Sequence, residues 1–229
     1  MPSKLKGIKS VKDALAESRK WYKKKLAQDT LRSLEKNNIS GFYVETVEDA
    51  CRRALDLIPA GSKVGYGGSL TLDQIGIKEI LRRGNYNFID RELPEINEND
   101  QNRLRRESLF SDVFLMSTNA LTMEGHLVNI DGFGNRVAAL IFGPSKVIVM
   151  AGVNKIVPDK KAAIHRIKNY VAPIHARRRN RQLPCAKAGK CTNCHAPDRF
   201  CNALVTIEHQ YLRDKERITV IIIGKELGL

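Results

Sequence analysis

Residues 112–157 read DVFLMSTNALTMEGHLVNIDGFGNRVAALIFGPSKVIVMAGVNKIV and decide the fold. Two apolar runs typical of buried strands, DVFLMS and KVIVMAG, stand at either end, with a further strand pattern, HLVNID, between them. GNRVAALIF has helical spacing and is ended by Gly143-Pro144. A strand, a helix and a second strand in succession indicate a β–α–β unit with parallel strands.

The same alternation extends in both directions from this stretch. Before it we predict helices over residues 10–36, 46–57, 68–84 and 97–110, with strands at FYVE, SKVGYG and YNFID. After it we predict a helix in PDKKAAIHRIKNYVAP and a last strand in RITVIIIG. Repeated units of this kind predict an α/β fold, with a mostly parallel sheet and helices on both faces.

Residues 173–203 interrupt the alternation, since they contain three prolines and many arginines and show no periodicity. A long irregular segment inside a compact domain is usually functional or held in place by some constraint. We therefore divide the chain into an N-terminal helical segment (1–40), an α/β core (41–172), a cysteine-rich loop (173–203) and a C-terminal strand that completes the core (204–229).

The chain has 229 residues and a net charge of +14, concentrated in residues 4–25 and 177–199. This charge favours small anionic ligands, acidic partner proteins or nucleic acid, although a solvated helix face would also explain the first block. No apolar run is long enough to span a membrane, and the N-terminus, MPSKLKGIKS, lacks the apolar stretch of a signal peptide. We expect a cytoplasmic protein without a membrane partner.

Three predicted loops follow strands, at the carboxyl edge where ligands bind in open parallel sheets. Residues 65–71 (GYGGSLT) combine glycines with hydroxyls, residues 117–136 are dense in small polar groups, and residues 151–155 end in a lysine. Glycines let a ligand approach the backbone, and cationic side chains pair with carboxylates. The candidate ligand-binding residues are Gly67, Gly68, Ser69, Thr71, Asn119, Asn135, Arg136 and Lys155.

Other interpretations of these loops remain open. GYGGSLT lacks the third glycine of a dinucleotide fingerprint and the lysine of a P-loop, so a plain strand–turn–helix would also explain it. Glu124 is a candidate base or nucleophile, but Glu124-Gly125 is equally typical of a turn. Lys155 either neutralises an anion or is an exposed lysine before a helix.

The cysteines divide into one isolated residue and one cluster. Cys51 lies in a helical pattern and is expected in the core. The others, Cys185, Cys191, Cys194 and Cys201, form a C-x5-C-x2-C-x6-C pattern among basic residues. Four thiolates can bind an iron–sulfur cluster, which we favour, or a structural zinc ion; a redox dithiol or free thiols remain alternatives.

The central stretch, together with YGGSLTLDQIG and the ending ITVIIIGKELG, resembles the LUD-domain family of lactate-utilization proteins, and most closely a short subgroup that carries the cysteine loop. The resemblance implies the α/β fold of the sugar-isomerase and CoA-transferase group (NagB/RpiA-like), with anionic substrates near Gly67, Gly68, Ser69 and Thr71. It also implies that a carboxylate in the region of Glu124 or Asp131 is catalytic.

Three functions follow from these observations. The resemblance implies a subunit or accessory protein of an iron–sulfur system that oxidises L-lactate or a related 2-hydroxyacid, acting with iron–sulfur or oxidoreductase partner subunits. The second is an independent enzyme on a phosphorylated sugar, CoA thioester or small carboxylate, with a structural zinc. The third and least favoured is a basic nucleic-acid-binding module, because Phe200 is the one aromatic residue among the basic residues of the cysteine loop. A homo-oligomer is compatible with each of them.

Overall fold

The structure is a computed structural model and describes residues 10–229. The first basic residues of the N-terminal block and the sequence MPSKLKGIK, on which the signal-peptide prediction depends, lie outside the described residues. Within residues 10–229 no helix is both long enough and apolar enough to cross a membrane.

The described chain alternates helices and strands along its length. The helices are α1 (Val11–Lys36), α2 (Val47–Asp56), α3 (Leu70–Ile75), α4 (Ile77–Arg83), α5 (Glu98–Glu107), α6 (Asn135–Ile141), α7 (Lys160–Arg166), α8 (Ala172–Arg178) and α9 (Pro184–Ala188). The strands are β1 (Ser40–Val44), β2 (Lys63–Tyr66), β3 (Asn87–Phe88), β4 (Val113–Met116), β5 (Ala120–Thr122), β6 (Leu127–Asp131), β7 (Lys146–Gly152), β8 (Ile156–Val157), β9 (Ala203–Ile207) and β10 (Ile218–Ile223).

The main sheet has the strand order β1-β10-β7-β4-β2-β3, and every neighbouring pair is parallel. The predicted α/β fold is therefore confirmed. β7 and β10 are neighbours in the interior of this sheet, and their register pairs Ile148 with Thr219 and Met150 with Ile221. Both strands are almost wholly buried, which explains why their sequences are continuous apolar runs rather than alternating patterns.

Successive side chains of the central strands enter two separate cores. On one face, Ile148 and Met150 pack with buried residues of α2, α3 and α4, among them Cys51, as its sequence context predicted. On the other face, Val147 and Val149 pack with buried residues of α1 and α6. Because strand side chains alternate between faces, this division shows that helices cover both sides of the sheet.

A second, smaller sheet with the order β8-β5-β6-β9 was not predicted. β5 and β8 are three and two residues long, too short for a periodicity to be visible. β9 pairs antiparallel with β6 and follows directly after the last cysteine. This sheet therefore connects the cysteine segment to the core.

Two helical predictions were wrong. The predicted helix over residues 68–84 is divided into α3 and α4 at Gly76, which adopts a left-handed φ of 75°. The segment from residue 173 is not wholly irregular, because α7 continues through a π-helical turn (Ile167–Val171) into α8. Pro173 lacks the N–H that an uninterrupted α-helix would use, and such prolines commonly accompany a local change of helical winding.

Candidate functional site

A cavity of about 480 Å³ opens at the carboxyl edge of the main sheet. Its walls come from loops that follow four strands: residues 68–71 after β2, Arg91 after β3, residues 117–119 after β4 and Lys155 after β7. Residues 130–136 and the helix α8 close the other side. Ligands of open parallel sheets bind at this edge, so the cavity is the leading candidate site.

Lys155 is buried at the floor of the cavity, with 4% of its surface exposed. Its Nζ donates hydrogen bonds to Thr71 Oγ1 at 2.9 Å and to Ser117 Oγ at 2.8 Å. Among residues 10–229 no carboxylate lies within 4.0 Å of this amine. Burial, followed by repulsion from Arg166 and Arg136, lowers the pKa of Lys155 to about 7.

The backbone just before Lys155 is held by the C-terminal segment. Asn154 Oδ1 accepts a hydrogen bond of 3.0 Å from the Leu227 N–H. Gly152 is required at this approach, because a Cβ there would lie 2.6 Å from the Leu227 nitrogen. A short 3₁₀ turn over Val153–Lys155 then directs the chain away from β7. The position of Lys155 is therefore set by packing and backbone hydrogen bonds rather than by a charged partner.

Arg91 is a second buried cation in the cavity wall, with 6% of its surface exposed. Its guanidinium carbon lies 4.0 Å from the centroid of the Tyr66 ring, and NH1 donates to the Tyr66 carbonyl oxygen at 2.5 Å. Within the described chain it forms no ion pair, and burial is the main cause that lowers its pKa. The loop over residues 65–71 runs past both side chains, since Gly68 is next to Arg91 NH2 and Thr71 contacts Lys155.

Arg136 lies beside the cavity, but its guanidinium is occupied by the protein itself. NH1 donates to the Ser117 carbonyl (3.0 Å) and Asn129 Oδ1 (2.8 Å), and NH2 donates to Asn119 Oδ1 (2.9 Å) and the Ile130 carbonyl (2.8 Å). Nε lies 3.4 Å from Asp131 Oδ2. Arg136 therefore acts as an internal brace that joins β4, β6 and α6.

The structure brings most of the predicted site residues together. Gly68, Ser69, Thr71, Asn119, Asp131, Asn135, Arg136 and Lys155 all line the cavity. Ser69 also caps α3, because its Oγ accepts a hydrogen bond from the Leu72 N–H at 3.3 Å. Gly67 lies behind the wall, where a Cβ would be 2.8 Å from the Arg136 side chain.

Glu124 is not part of this group. It lies in the turn between β5 and β6 and does not line the cavity, and 53% of its side chain is exposed. Its carboxylate lies 3.3 Å from His126 Nδ1, and its backbone carbonyl accepts a hydrogen bond from Asn37 Nδ2 at 2.8 Å. Asp131 is the predicted catalytic carboxylate that reaches the cavity, where it accepts the Gly134 N–H at 3.1 Å.

The rim of the cavity meets the cysteine segment. The rings of His175 on α8 and Phe200 pack edge to face with centroids 4.9 Å apart, and both line the cavity. Burial, then the neighbouring Arg178 and Arg179, lower the pKa of His175 to about 4, so the ring is neutral at pH 7. Asn202 Nδ2 donates to the Gly132 carbonyl at 3.1 Å, which fixes the end of the cysteine segment to the cavity wall.

The four clustered cysteines are free and half-buried. Burial raises the pKa of the Cys185 thiol, and the other three thiols of the cluster raise it further. Arg199 donates to the carbonyl oxygens of Cys194 (2.8 Å) and Cys201 (2.6 Å), and the Asn193 N–H donates to Cys191 Sγ at 3.4 Å.

These thiols suit an iron–sulfur cluster or zinc in their chemistry. In residues 10–229, however, no three Cys, His, Asp or Glu side chains are arranged to hold a metal ion. In the described chain the cysteine segment therefore lacks a finished set of metal ligands.

Sequence reasoning missed Arg91 and His175 as cavity residues. Arg91 directly follows the predicted strand YNFID, so the rule that identified the other loops would also have found it. His175 carried no such signal, because the helix that places it was predicted to end before it.

Comparisons with known proteins agree with the sequence resemblance. The LUD domain family matches residues 27–223, which is most of the chain. No curated protein matches. Among solved structures, a DUF162 family protein from Deinococcus radiodurans aligns over 88% of this chain and 98% of its own, with 14% identity and a TM-score of 0.48. On the strength of the domain match, the chain belongs to the LUD-domain family.

Proposed function

We propose that this protein binds a small 2-hydroxy or 2-oxo carboxylate in the cationic cavity, as a subunit or accessory protein of an iron–sulfur system for L-lactate oxidation. The LUD-domain family is associated with lactate utilization. Lactate and its oxidation product pyruvate both carry one carboxylate beside a hydroxyl or carbonyl oxygen. The cavity offers cations for the carboxylate and the Thr71 and Ser117 hydroxyls for the second oxygen.

The observation that carries this proposal is a pair of buried basic side chains that form no ion pair in the described chain, and a bound carboxylate would favour the charged form of Lys155. Lys155 and Arg91 are 4% and 6% exposed, and neither has a carboxylate within 4.0 Å among the described residues. Burying a charge without a partner is costly, and removing water from it costs several kcal/mol. A bound carboxylate would offset that cost, so the cavity has a physical preference for an anion.

The size of the cavity is also compatible with a larger anionic ligand. About 480 Å³ is more than a three-carbon acid fills, and Arg105, Arg178 and Arg179 add positive charge along its walls. A phosphorylated sugar or a CoA thioester would use this additional space and charge. The independent enzyme with Glu124 as its acting carboxylate is less favoured, since Glu124 does not line the cavity. Its Glu124→Gln variant is expected to keep any turnover that the protein shows.

Isothermal titration calorimetry tests the proposal with five probes: L-lactate, pyruvate, lactamide, glucose 6-phosphate and acetyl-CoA. We expect L-lactate and pyruvate to bind and lactamide, which lacks the charge, to bind at least about tenfold more weakly. Tighter binding of glucose 6-phosphate or acetyl-CoA would favour the alternative enzyme. Absence of binding by both L-lactate and pyruvate would refute the proposal.

We further propose that Cys185, Cys191, Cys194 and Cys201 hold an iron–sulfur cluster, which would provide electron transfer next to the cavity. Protein purified without oxygen is expected to contain iron and acid-labile sulfide and to absorb visible light. Cys194→Ser should lose most of the iron, whereas Cys51→Ala, which alters a buried core cysteine, should retain it. Zinc in place of iron would support a structural site instead, and absence of both metals would refute a metal centre.

A further inference from the structure

We propose that Lys155 captures a 2-oxo carboxylate covalently, by forming an imine between its Nζ and the carbonyl carbon, an inference that rests on the carboxylate site proposed above. In this role Lys155 is a nucleophile and not only a charge partner. The site would then retain the 2-oxo acid rather than the 2-hydroxy acid.

The hydrogen bonds of Lys155 suit a neutral amine. A neutral amine has two N–H bonds and one lone pair, whereas an ammonium group has three N–H bonds to satisfy. The structure provides two oxygen partners, Thr71 Oγ1 and Ser117 Oγ. With both N–H bonds directed at these hydroxyls, the lone pair is left without a partner among the described residues.

The surroundings also favour the neutral form. Lys155 has no neighbouring carboxylate to stabilise its charge, and Arg136 and Arg166 repel a proton on it. With a pKa of about 7, roughly half of the amines are neutral at pH 7, compared with fewer than about one in a thousand for an ordinary lysine. Burial beside other cations is a known way to activate a lysine as a nucleophile.

The space beside the amine depends on a glycine. A Cβ at Gly228 would lie 2.9 Å from Lys155 Nζ and 2.5 Å from Thr71 Oγ1, and Gly228 has a left-handed φ of 66°. Any other side chain would therefore be strained there and would crowd the nucleophile. Arg91, in the same cavity, is available for the carboxylate of the captured acid.

The chemistry balances without an additional reactant. The Nζ lone pair forms a bond to the carbonyl carbon, and the two amine hydrogens leave with the carbonyl oxygen as one water molecule. The neutral imine that results takes one proton from solvent to become an iminium ion. L-lactate has no carbonyl carbon to attack, so it binds without reacting.

The charged and titratable groups around Lys155 set the pH dependence. Those that line the cavity or act on the amine are Asp73, Arg91, Glu92, Arg105, Asp131, Arg136, Arg166, His175, Arg178 and Arg179. Cations dominate this set, which opposes protonation of the amine. Imine formation should therefore increase with pH as Lys155 loses its proton, by about tenfold between pH 6 and pH 8 for a pKa of about 7.

Trapping with sodium cyanoborohydride tests the inference on the full-length protein. With pyruvate present, intact mass and peptide mapping should show one reduced adduct on Lys155, and L-lactate should give none. Lys161→Met, which removes an exposed lysine near the start of α7, should be labelled like the wild type, and Lys155→Arg should not be labelled.

The outcomes separate the inference from the function on which it depends. Pyruvate that binds by calorimetry but gives no adduct on Lys155 would overturn the inference and leave the carboxylate site intact. Labelling spread evenly over exposed lysines would overturn it as well. If neither pyruvate nor L-lactate binds, the proposed function fails with it. Peptide mapping of the wild type decides the result even if Lys155→Arg does not fold.

Discussion

The cavity floor and the cysteine segment adjoin each other but are built in opposite ways. At the floor, Lys155 and Arg136 are held by hydrogen bonds to groups on β6, on α3 and in the loop after β4. In the segment over residues 184–202 the cysteines are half-buried, and no three of them are arranged as ligands. Arg199 fixes the backbone of this segment, but its Nε is buried without a partner.

The difference indicates that the cavity floor is preorganised, whereas the cysteine side chains of the described chain are not arranged as metal ligands. Side chains held by the surrounding fold can bind a ligand without rearrangement, which lowers the free-energy cost of binding. Thiols that lack a finished geometry would acquire it on binding the metal proposed above. We therefore expect variants of the two regions to affect different properties.

The largest effect is expected from replacing Arg136, whose hydrogen bonds join α6 to β6 and to the loop after β4 beside the cavity. Arg136→Met should lower the free energy of unfolding by about 3–5 kcal/mol, because it leaves the buried Asp131 carboxylate without its cation and removes four hydrogen bonds to the groups around the guanidinium. Urea denaturation measures the change. Arg103→Met, an exposed arginine, should change stability by less than about 0.5 kcal/mol. A similarly small change in Arg136→Met would mean that the cavity is not preorganised.

The next largest effect concerns ligand affinity. Lys155→Met should weaken binding of L-lactate by about 30- to 100-fold, since a desolvated cation in contact with a carboxylate contributes at least about 2 kcal/mol. Calorimetry measures the dissociation constant, and Lys161→Met is the matched control. Unchanged affinity in Lys155→Met would place the carboxylate elsewhere.

The free energy of unfolding should depend on pH through Lys155. Its folded pKa of about 7 lies below the usual 10.5, so between these values the unfolded chain holds a proton that the folded protein lacks. The free energy of unfolding should therefore rise with pH in this window, by at most about 1.4 kcal/mol per pH unit. Denaturation at pH 7.5 and 9.5 should show the wild type gaining about 2 kcal/mol relative to Lys155→Met. An equal gain in both proteins would show that the pKa of the buried Lys155 is not lowered.

The smallest effect on the cavity is expected from the cysteines. Cys194→Ser should remove bound metal and leave the affinity for L-lactate within about twofold, because Cys194 makes no contact with the cavity floor. Calorimetry and metal analysis on the same preparation measure both properties. A large loss of affinity would show that the cysteine segment organises the cavity as well.

Much of the fold was predictable, because the buried central strands β7 and β10 have unmistakable apolar sequences and the loops between elements contain clear turn residues. The helices predicted from residues 10 and 46 also begin there, where the side chains of Ser10 and Thr46 cap α1 and α2. The second sheet was not predictable, since β5 and β8 are too short to show a pattern and β9 depends on pairing with β6.

The candidate site was only partly predictable for a related reason. Loop residues after strands, such as Thr71 and Lys155, can be identified from chain order alone. What they do depends on contacts between distant parts of the chain. Sequence suggested that Arg136 pairs with a ligand, but its hydrogen-bonding groups are occupied by β4 and β6. Glu124 looked reactive beside a glycine, but the hairpin carries it away from the cavity.

A crystal structure of the protein with bound L-lactate would show whether the buried basic side chains of the cavity hold the carboxylate. We predict that the lactate carboxylate lies within about 3 Å of Lys155 Nζ or of the Arg91 guanidinium. Lactate bound outside the cavity, or an empty cavity in which both cations pair with the protein's own carboxylates, would contradict this account.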